Sequence, residues 1–248
     1  MLYFFIVLGL IFGSFLNVLV HRLPKNQSII FPSSNCPHCK ENILWYHNIP
    51  IISFLLLKGY SSCCNKPIAI RYLFIEVVSM LLWVWSYYYI ENISDQILFL
   101  IMSSCLLVVI FTDFNHFIVP LELNIVMFLS ILTIHIYSSQ NIVDSIYSML
   151  FLCLYFLLLM FLISFLIKKE AMGYGDIILI AVISFWLGWV DAFIIVFFSS
   201  IFSLIHWFIL NLKTKEKDIQ LPFGSSISVV TIFLYLIKET FQISTNLF

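Results

Sequence analysis

Apolar runs of membrane length recur along this chain, and they limit its fold more than any other feature. A helix needs roughly 20 mostly apolar residues to cross the hydrocarbon core of a bilayer. About eight segments meet or approach that length, at about 1–20, 72–91, 96–113, 117–137, 144–167, 176–190, 191–211 and 225–242. With 62% hydrophobic and 10% charged residues, the 248-residue chain cannot cover itself with a polar surface, so lipid must be its main surroundings. The expected fold is an all-α polytopic membrane protein of about eight transmembrane helices. The sixth run is short and the junction from Gly188 to Asp191 is tight, so seven spans is the alternative count. The first run ends in His21-Arg22-Leu23-Pro24 without a small-residue cleavage site, so it is read as a retained helix. A formal charge of −1 offers nothing to nucleic acid, which is not expected as a partner.

Orientation follows from lysine and arginine, which collect on the cytoplasmic side of bacterial membrane proteins. Arg22, Lys25, Lys40, Lys58, Lys66 and Arg71 follow the first run; Lys168 and Lys169 follow the fifth; Lys213, Lys215 and Lys217 follow the seventh. With eight spans these share one face, and only Lys238 departs from it. The N-terminus is therefore expected outside, and the turn at 113–116 and the loop at 168–176 inside.

The one sizeable polar segment, residues 21–71, is too short for its own core without a staple. It carries Cys36-Pro37-His38-Cys39 and, after 23 intervening residues, Cys63-Cys64. Four cysteines in a small loop on the reducing side read as a metal site rather than as disulfides. Tetrahedral zinc suits the CxxC spacing of the first pair; the adjacent second pair does not follow that spacing. The expected ligands are Cys36, Cys39, Cys63 and Cys64, with His38 or His47 as possible replacements. Cys105 and Cys153 lie within apolar runs and read as packing residues. No internal repeat is apparent.

Two aspartates stand at the ends of apolar runs. Asp113 closes the third and precedes a turn and Pro120, while Asp176 follows Gly173-Tyr174-Gly175 at the start of the sixth. Ionisable residues at such depth mark functional sites by default. Glycines at 173 and 175 permit close backbone approach, and the positive end of a helix suits a carboxylate. Two carboxylates that face one another titrate as a pair, the ionised one able to activate water and the protonated one to polarise a carbonyl. Glu76 and Glu122 are further acids able to tune that pair or serve a second activity.

At these residues the chain resembles the type IV prepilin leader peptidases, membrane aspartic endopeptidases of the GxGD kind that also N-methylate their product. The resemblance rests on Gly13-Ser14-Phe15-Leu16-Asn17-Val18 with Arg22-Leu23-Pro24, on Cys36-Pro37-His38-Cys39 and Trp45-Tyr46-His47-Asn48-Ile49-Pro50, and on Pro67-Ile68, Arg71-Tyr72 and Glu76. It continues through Asp113 with Pro120, Gly173-Tyr174-Gly175-Asp176 and Pro222-Phe223-Gly224. It implies a first helix at 1–20, a methylation-associated cytoplasmic loop at 21–71 and a peptidase core at 72–248. Asp113 and Asp176 would hydrolyse the leader of a prepilin or pseudopilin at the inner face of the bacterial plasma membrane, for pili, secretion or competence. S-adenosylmethionine would serve methylation, with Glu76 a candidate residue. Three positions depart from the family pattern: Ser61 stands where the second knuckle has its first cysteine, Ile178 where a lysine is usual, and Leu121-Glu122 after Pro120. The competing reading is a proton- or cation-coupled transporter using the same aspartates, although pathway acids are expected nearer the midplane.

Overall fold

A computed structural model describes residues 1–31, 33–138, 142–168, 172–214 and 220–246. Within the bilayer every backbone amide and carbonyl must be satisfied inside its own segment, so each apolar run becomes a helix. The runs form α1 (Leu2–Arg22), α3 (Ile70–Tyr89), α4 (Ile93–His116), α5 (Leu121–Tyr137), α6 (Ile142–Ile167), α7 (Tyr174–Leu187), α8 (Trp189–Thr214) and α9 (Phe223–Asn246), with a short α2 (Ile52–Leu56) in the polar loop. Six of these are long and apolar enough to cross a membrane; α5 and α7 are apolar but shorter. Apart from two isolated bridges, no strand pairing occurs among the described residues. Lys169, Lys215 and Lys217 of the charge pattern lie outside the described residues.

The chain forms two compact units, residues Met1–Val108 and Val109–Phe248. In the first, α1 and α3 pack backbone to backbone. Gly9 and Gly13, a GxxxG pair on α1, make this possible: a Cβ on either would lie 2.8 Å from the Cα of Met80 or Glu76. Polar side chains tie the same seam. The Ser79 hydroxyl donates to the Gly9 carbonyl at 2.8 Å, and Asn17 Nδ2 donates to the Tyr72 carbonyl at 3.1 Å. Arg22 is buried at the end of α1, its guanidinium donating to the carbonyls of Ser28, Ile29 and Ser33, so this cation organises the polar loop.

The loop contains a repeated turn that the sequence did not suggest. Residues 34–43 and 59–68 fold alike, closed by the bridges Asn35–Asn42 and Tyr60–Pro67. Only Cys39 with Cys64 and Ile43 with Ile68 are identical between them, too little for a repeat to be visible in one chain.

In the second unit the short α7 is the hub. Ile177 and every residue from Leu179 to Phe185 are buried, and α5, α6, α8 and α9 all pack on this helix. Phe185 meets Phe128 and the buried His135 of α5, while Trp186 stacks on Tyr235 of α9 at 4.8 Å. By contrast α6 and α8 expose long apolar faces, including Leu158, Phe161, Phe165, Phe197 and Phe202, as lipid-facing helices do. At 14 residues, α7 is roughly 21 Å long, against a hydrocarbon core of about 30 Å. Gly188, at φ 88°, ends it and lets α8 begin at once. Lys238, the basic residue off the charge pattern, pairs with Asp191 at 2.5 Å.

Candidate functional site

Asp113 and Asp176 converge within the second unit. Asp113 stands near the end of α4 and is buried, and its Oδ2 accepts the backbone N–H of Ser225 at 2.6 Å. Ser225 is in the first turn of α9, where the leading amides have no partner within the helix, so the carboxylate caps it. Asp176 is the third residue of α7, and its carboxylate bonds the backbone of Gly173, the residue that opens the helix. This is the return half of a capping box. Both acids are thus anchored on helix starts.

Gly224 shows how close the two carboxylates come. A Cβ there would lie 2.9 Å from Asp176 Oδ1 and 3.3 Å from Asp113 Oδ2, so both oxygens face one point and interact electrostatically. The same Cβ would lie 2.6 Å from Cγ2 of Val119, and one on Gly175 would lie 3.0 Å from Val119 Cβ. Glycines on α7 and α9 therefore let the 117–120 turn close over the aspartate pair. The Pro222-Phe223-Gly224 block was visible in the sequence, but its place against both acids was not. Of the other acids, Glu122 is exposed in the first turn of α5. Ile178 is 38% exposed on α7.

Glu76 has a separate setting in the first unit. It is buried on α3, and its Oε2 accepts the Ile51 backbone N–H at 2.8 Å. Ile51 has φ 61°, a costly conformation for a β-branched residue. The carboxylate holds that strained residue at the wall of a cavity of about 780 Å³, lined among others by Asn17, His47, Arg71, Tyr72 and Glu76. Asn17 Oδ1, His47 Nδ1 and Arg71 Nε are buried and have no hydrogen-bond partner among the described residues. Unpaired buried polar atoms are costly, and the residues that carry them line the cavity.

The four loop cysteines gather at the edge of the same cavity. Their sulfurs all lie within 4.8 Å of one another, with Cys36 and Cys64 3.8 Å apart and Cys39 and Cys63 3.0 Å apart. Zinc bonded to four sulfurs at about 2.3 Å makes a tetrahedron with edges of about 3.8 Å. The donor set fits such an ion. Both sulfurs of the adjacent pair turn inward, and neither His38 nor His47 belongs to the group. Burial pushes the Cys36 thiol up, but hydrogen bonds from the Ser61 hydroxyl, the backbone of Cys39 and His38 and the Cys63 thiol bring it down to about 6. Cys39 is pushed up to about 12, above all by its hydrogen bond with Cys63.

Comparison with known proteins matches residues 7–90 to the bacterial peptidase A24 N-terminal domain and residues 100–208 to the type IV leader peptidase family. A protein of Klebsiella pneumoniae named prepilin leader peptidase/N-methyltransferase is 34% identical over 193 residues, 75% of this chain and 85% of its own length. The chain belongs to the type IV leader peptidase family. Other relatives include the Legionella pneumophila protein of the same name, 29% identical across 90% of this chain and 87% of its own. An Escherichia coli type 4 prepilin-like proteins leader peptide-processing enzyme is 28% identical over 91% of both. No solved structure matches the chain. Asp113 and Asp176 both fall within the stretch matched to the leader peptidase family, and Glu76 and the four loop cysteines within the N-terminal domain.

Proposed function

We propose that this protein is a membrane aspartic endopeptidase that removes the leader of type IV prepilins or pseudopilins at the cytoplasmic face of the bacterial plasma membrane, with Asp113 and Asp176 as its catalytic pair. One observation carries the reading: two carboxylates, Asp113 near the end of α4 and Asp176 in the first turn of the short α7, face one point beside Gly224 of α9. The family supplies the substrate class, and the charge pattern supplies the face.

The pair hydrolyses the peptide bond without a covalent intermediate. The ionised carboxylate takes a proton from water, whose oxygen attacks the scissile carbonyl carbon, while the protonated carboxyl donates its proton to the carbonyl oxygen. Collapse of the tetrahedral intermediate breaks the C–N bond, and the proton taken from water passes to the leaving nitrogen. The Ser225 amide holds Asp113 in place throughout, and the backbone of Gly173 does so for Asp176. A substrate whose apolar helix lies in lipid and whose leader lies in the cytoplasm can present its cleavage point at such an interfacial pair. Membranes carrying Asp113→Ala or Asp176→Ala are expected to cleave a cognate prepilin at least 10²–10⁴-fold more slowly, the usual contribution of a positioned acid or base. Parental cleavage by either variant would end the dyad reading.

The cavity around Glu76 supports a second activity, N-methylation of the new N-terminus. S-adenosylmethionine would supply the methyl group there. Asn17, His47 and Arg71 line the cavity and would flank the bound molecule, and Glu76 would hold the strained 50–52 segment in shape around it. Mass analysis of the mature pilin tests this: a Glu76→Ala enzyme, which loses the acceptor for Ile51, should release processed pilin with an unmethylated amine. The four-cysteine cluster would hold structural zinc that fastens the two loop turns.

A further inference from the structure

The two sides of the short α2 meet different surroundings. Ser53, Phe54 and Leu57 line the cavity beside Glu76, and the buried Ser53 donates its hydroxyl to the Tyr46 carbonyl at 2.9 Å. Ile52, Leu55 and Leu56, spaced three and four apart, share the opposite side. They are 53%, 64% and 77% exposed, and Trp45, in the single turn Trp45–Asn48 that packs on α2, is 80% exposed. Four large apolar side chains of a small polar loop are thus left mostly uncovered.

The depth of this face is set by Glu76. Ile51, the residue before α2, donates its N–H to Glu76 Oε2 at 2.8 Å. Glu76 is the seventh residue of α3, roughly 9 Å along the helix from its start. With 20 residues α3 is about 30 Å long, the thickness of the hydrocarbon core. A segment bonded that far along a spanning helix lies at the level of the lipid headgroups and not out in water. Charge points the same way. Between Arg22 and Arg71 the loop exposes Lys25, Lys40, Lys58 and Lys66 against one acid, Glu41, and Lys58 follows the apolar face closely. A second copy across a two-fold axis would set these lysines against their own kind, whereas anionic headgroups balance them.

We propose that Trp45, Ile52, Leu55 and Leu56 seat α2 in the boundary between headgroups and acyl chains of an anionic bilayer, with Lys58 against the lipid phosphates. Lipid then covers the outer side of a segment whose inner side walls the cavity. Such a segment is held by its buried apolar area together with attraction to anionic lipid, and an amphipathic tryptophan ring suits that level. The inference rests on α3 crossing the membrane and on neither proposed activity.

The test places the full-length protein in vesicles of phosphatidylcholine and phosphatidylglycerol, with bromine on the acyl chains as a short-range quencher of tryptophan. Subtracting the emission of a Trp45→Phe protein from that of the parent isolates Trp45. Its emission should lie to the blue of water-exposed tryptophan and be quenched by the brominated chains. The double variant Leu55→Ser with Leu56→Ser should reduce that quenching by about half or more, since seating follows buried apolar area. Its thermal unfolding in detergent should match the parent, because both side chains are mostly exposed, and this separates lost seating from misfolding. Lys58→Glu should weaken the quenching in the mixed vesicles and leave it unchanged in phosphatidylcholine alone. A Trp45 that bromine leaves bright overturns the proposal, whether the ring is open to water or covered by a second copy or by other residues of this chain. Parental quenching in the double leucine variant, or in Lys58→Glu in the mixed vesicles, overturns it as well.

Discussion

Replacing Gly224 by alanine tests the aspartate pair without touching either acid. The added methyl would lie 2.6 Å from Val119 Cγ2, 2.9 Å from Asp176 Oδ1 and 3.3 Å from Asp113 Oδ2, whereas ordinary contact begins at 3.4 Å. Val119 is β-branched and stiff about χ1, so it yields little by rotation. Asp176 must then retreat by about 0.5 Å and Asp113 by a smaller amount, away from the point both face. A misplacement of 1 Å costs on the order of 10²-fold in rate, so half of that predicts a roughly tenfold loss or somewhat more, about 1.4–2.7 kcal/mol of barrier. Overpacking should cost about 1–3 kcal/mol in stability as well. Cleavage of a cognate prepilin, normalised to enzyme in the membrane, gives the rate, and thermal unfolding in detergent gives the stability. Adding Val119→Ala separates the two effects, because it removes only the 2.6 Å contact: stability should recover while cleavage stays slow. Gly188→Ala is the control, since a Cβ there meets nothing within 4 Å and only its φ of 88° is strained. It should cost about 1–3 kcal/mol and leave cleavage intact. Parental cleavage by Gly224→Ala would refute the convergence of the carboxylates on that point.

Further outcomes follow from the first unit and from the ion pair. Gly13→Ala sets a Cβ 2.8 Å from the Glu76 Cα, a backbone atom that no rotamer change can move, so α1 and α3 must separate. Melting should show a loss of about 1–3 kcal/mol, with pilin methylation falling more than cleavage. Glu76→Ala removes the acceptor that holds Ile51, and limited proteolysis should cut residues 45–58 faster, while Glu76→Gln, which keeps an acceptor oxygen, should stay protected. Lys238→Ala breaks a pair whose lysine is 45% exposed, and should shift stability by less than about 1 kcal/mol.

Much of the helical framework was legible because lipid imposes a simple rule. An apolar run must become a helix, and all eight expected runs did, with ends displaced by a few residues. The lengths of α5 and α7 were harder to read, since Glu122 and the glycines around 173–175 blur where an apolar run begins. That α7 is the buried hub was also hidden: Ile177 to Phe185 reads as a lipid-facing stretch as readily as a core one, because hydropathy does not distinguish lipid from protein interior. Asp113 and Asp176 stood out for the opposite reason, as charges at positions where charge is expensive.

Glycine and main-chain roles escaped the sequence for a different cause. Gly9, Gly13, Gly175 and Gly224 each work by what they leave out, and the partner that needs the space is distant in the chain: Met80, Glu76, Val119 and the two aspartates. The Ser225 amide that fixes Asp113 would be there with any residue but proline, so no side chain announces it. The same holds for the cysteine loop, where spacing alone made Cys63-Cys64 an awkward pair. Only the repeated backbone of the two turns sets Ser61 on Cys36 and Cys63 on His38, because hydrogen bonds between main-chain atoms set the register and leave the side chains free to differ. What a single sequence reveals of a membrane enzyme is where charge and sulfur interrupt the apolar background; how those groups are aimed depends on backbone contacts that composition does not record.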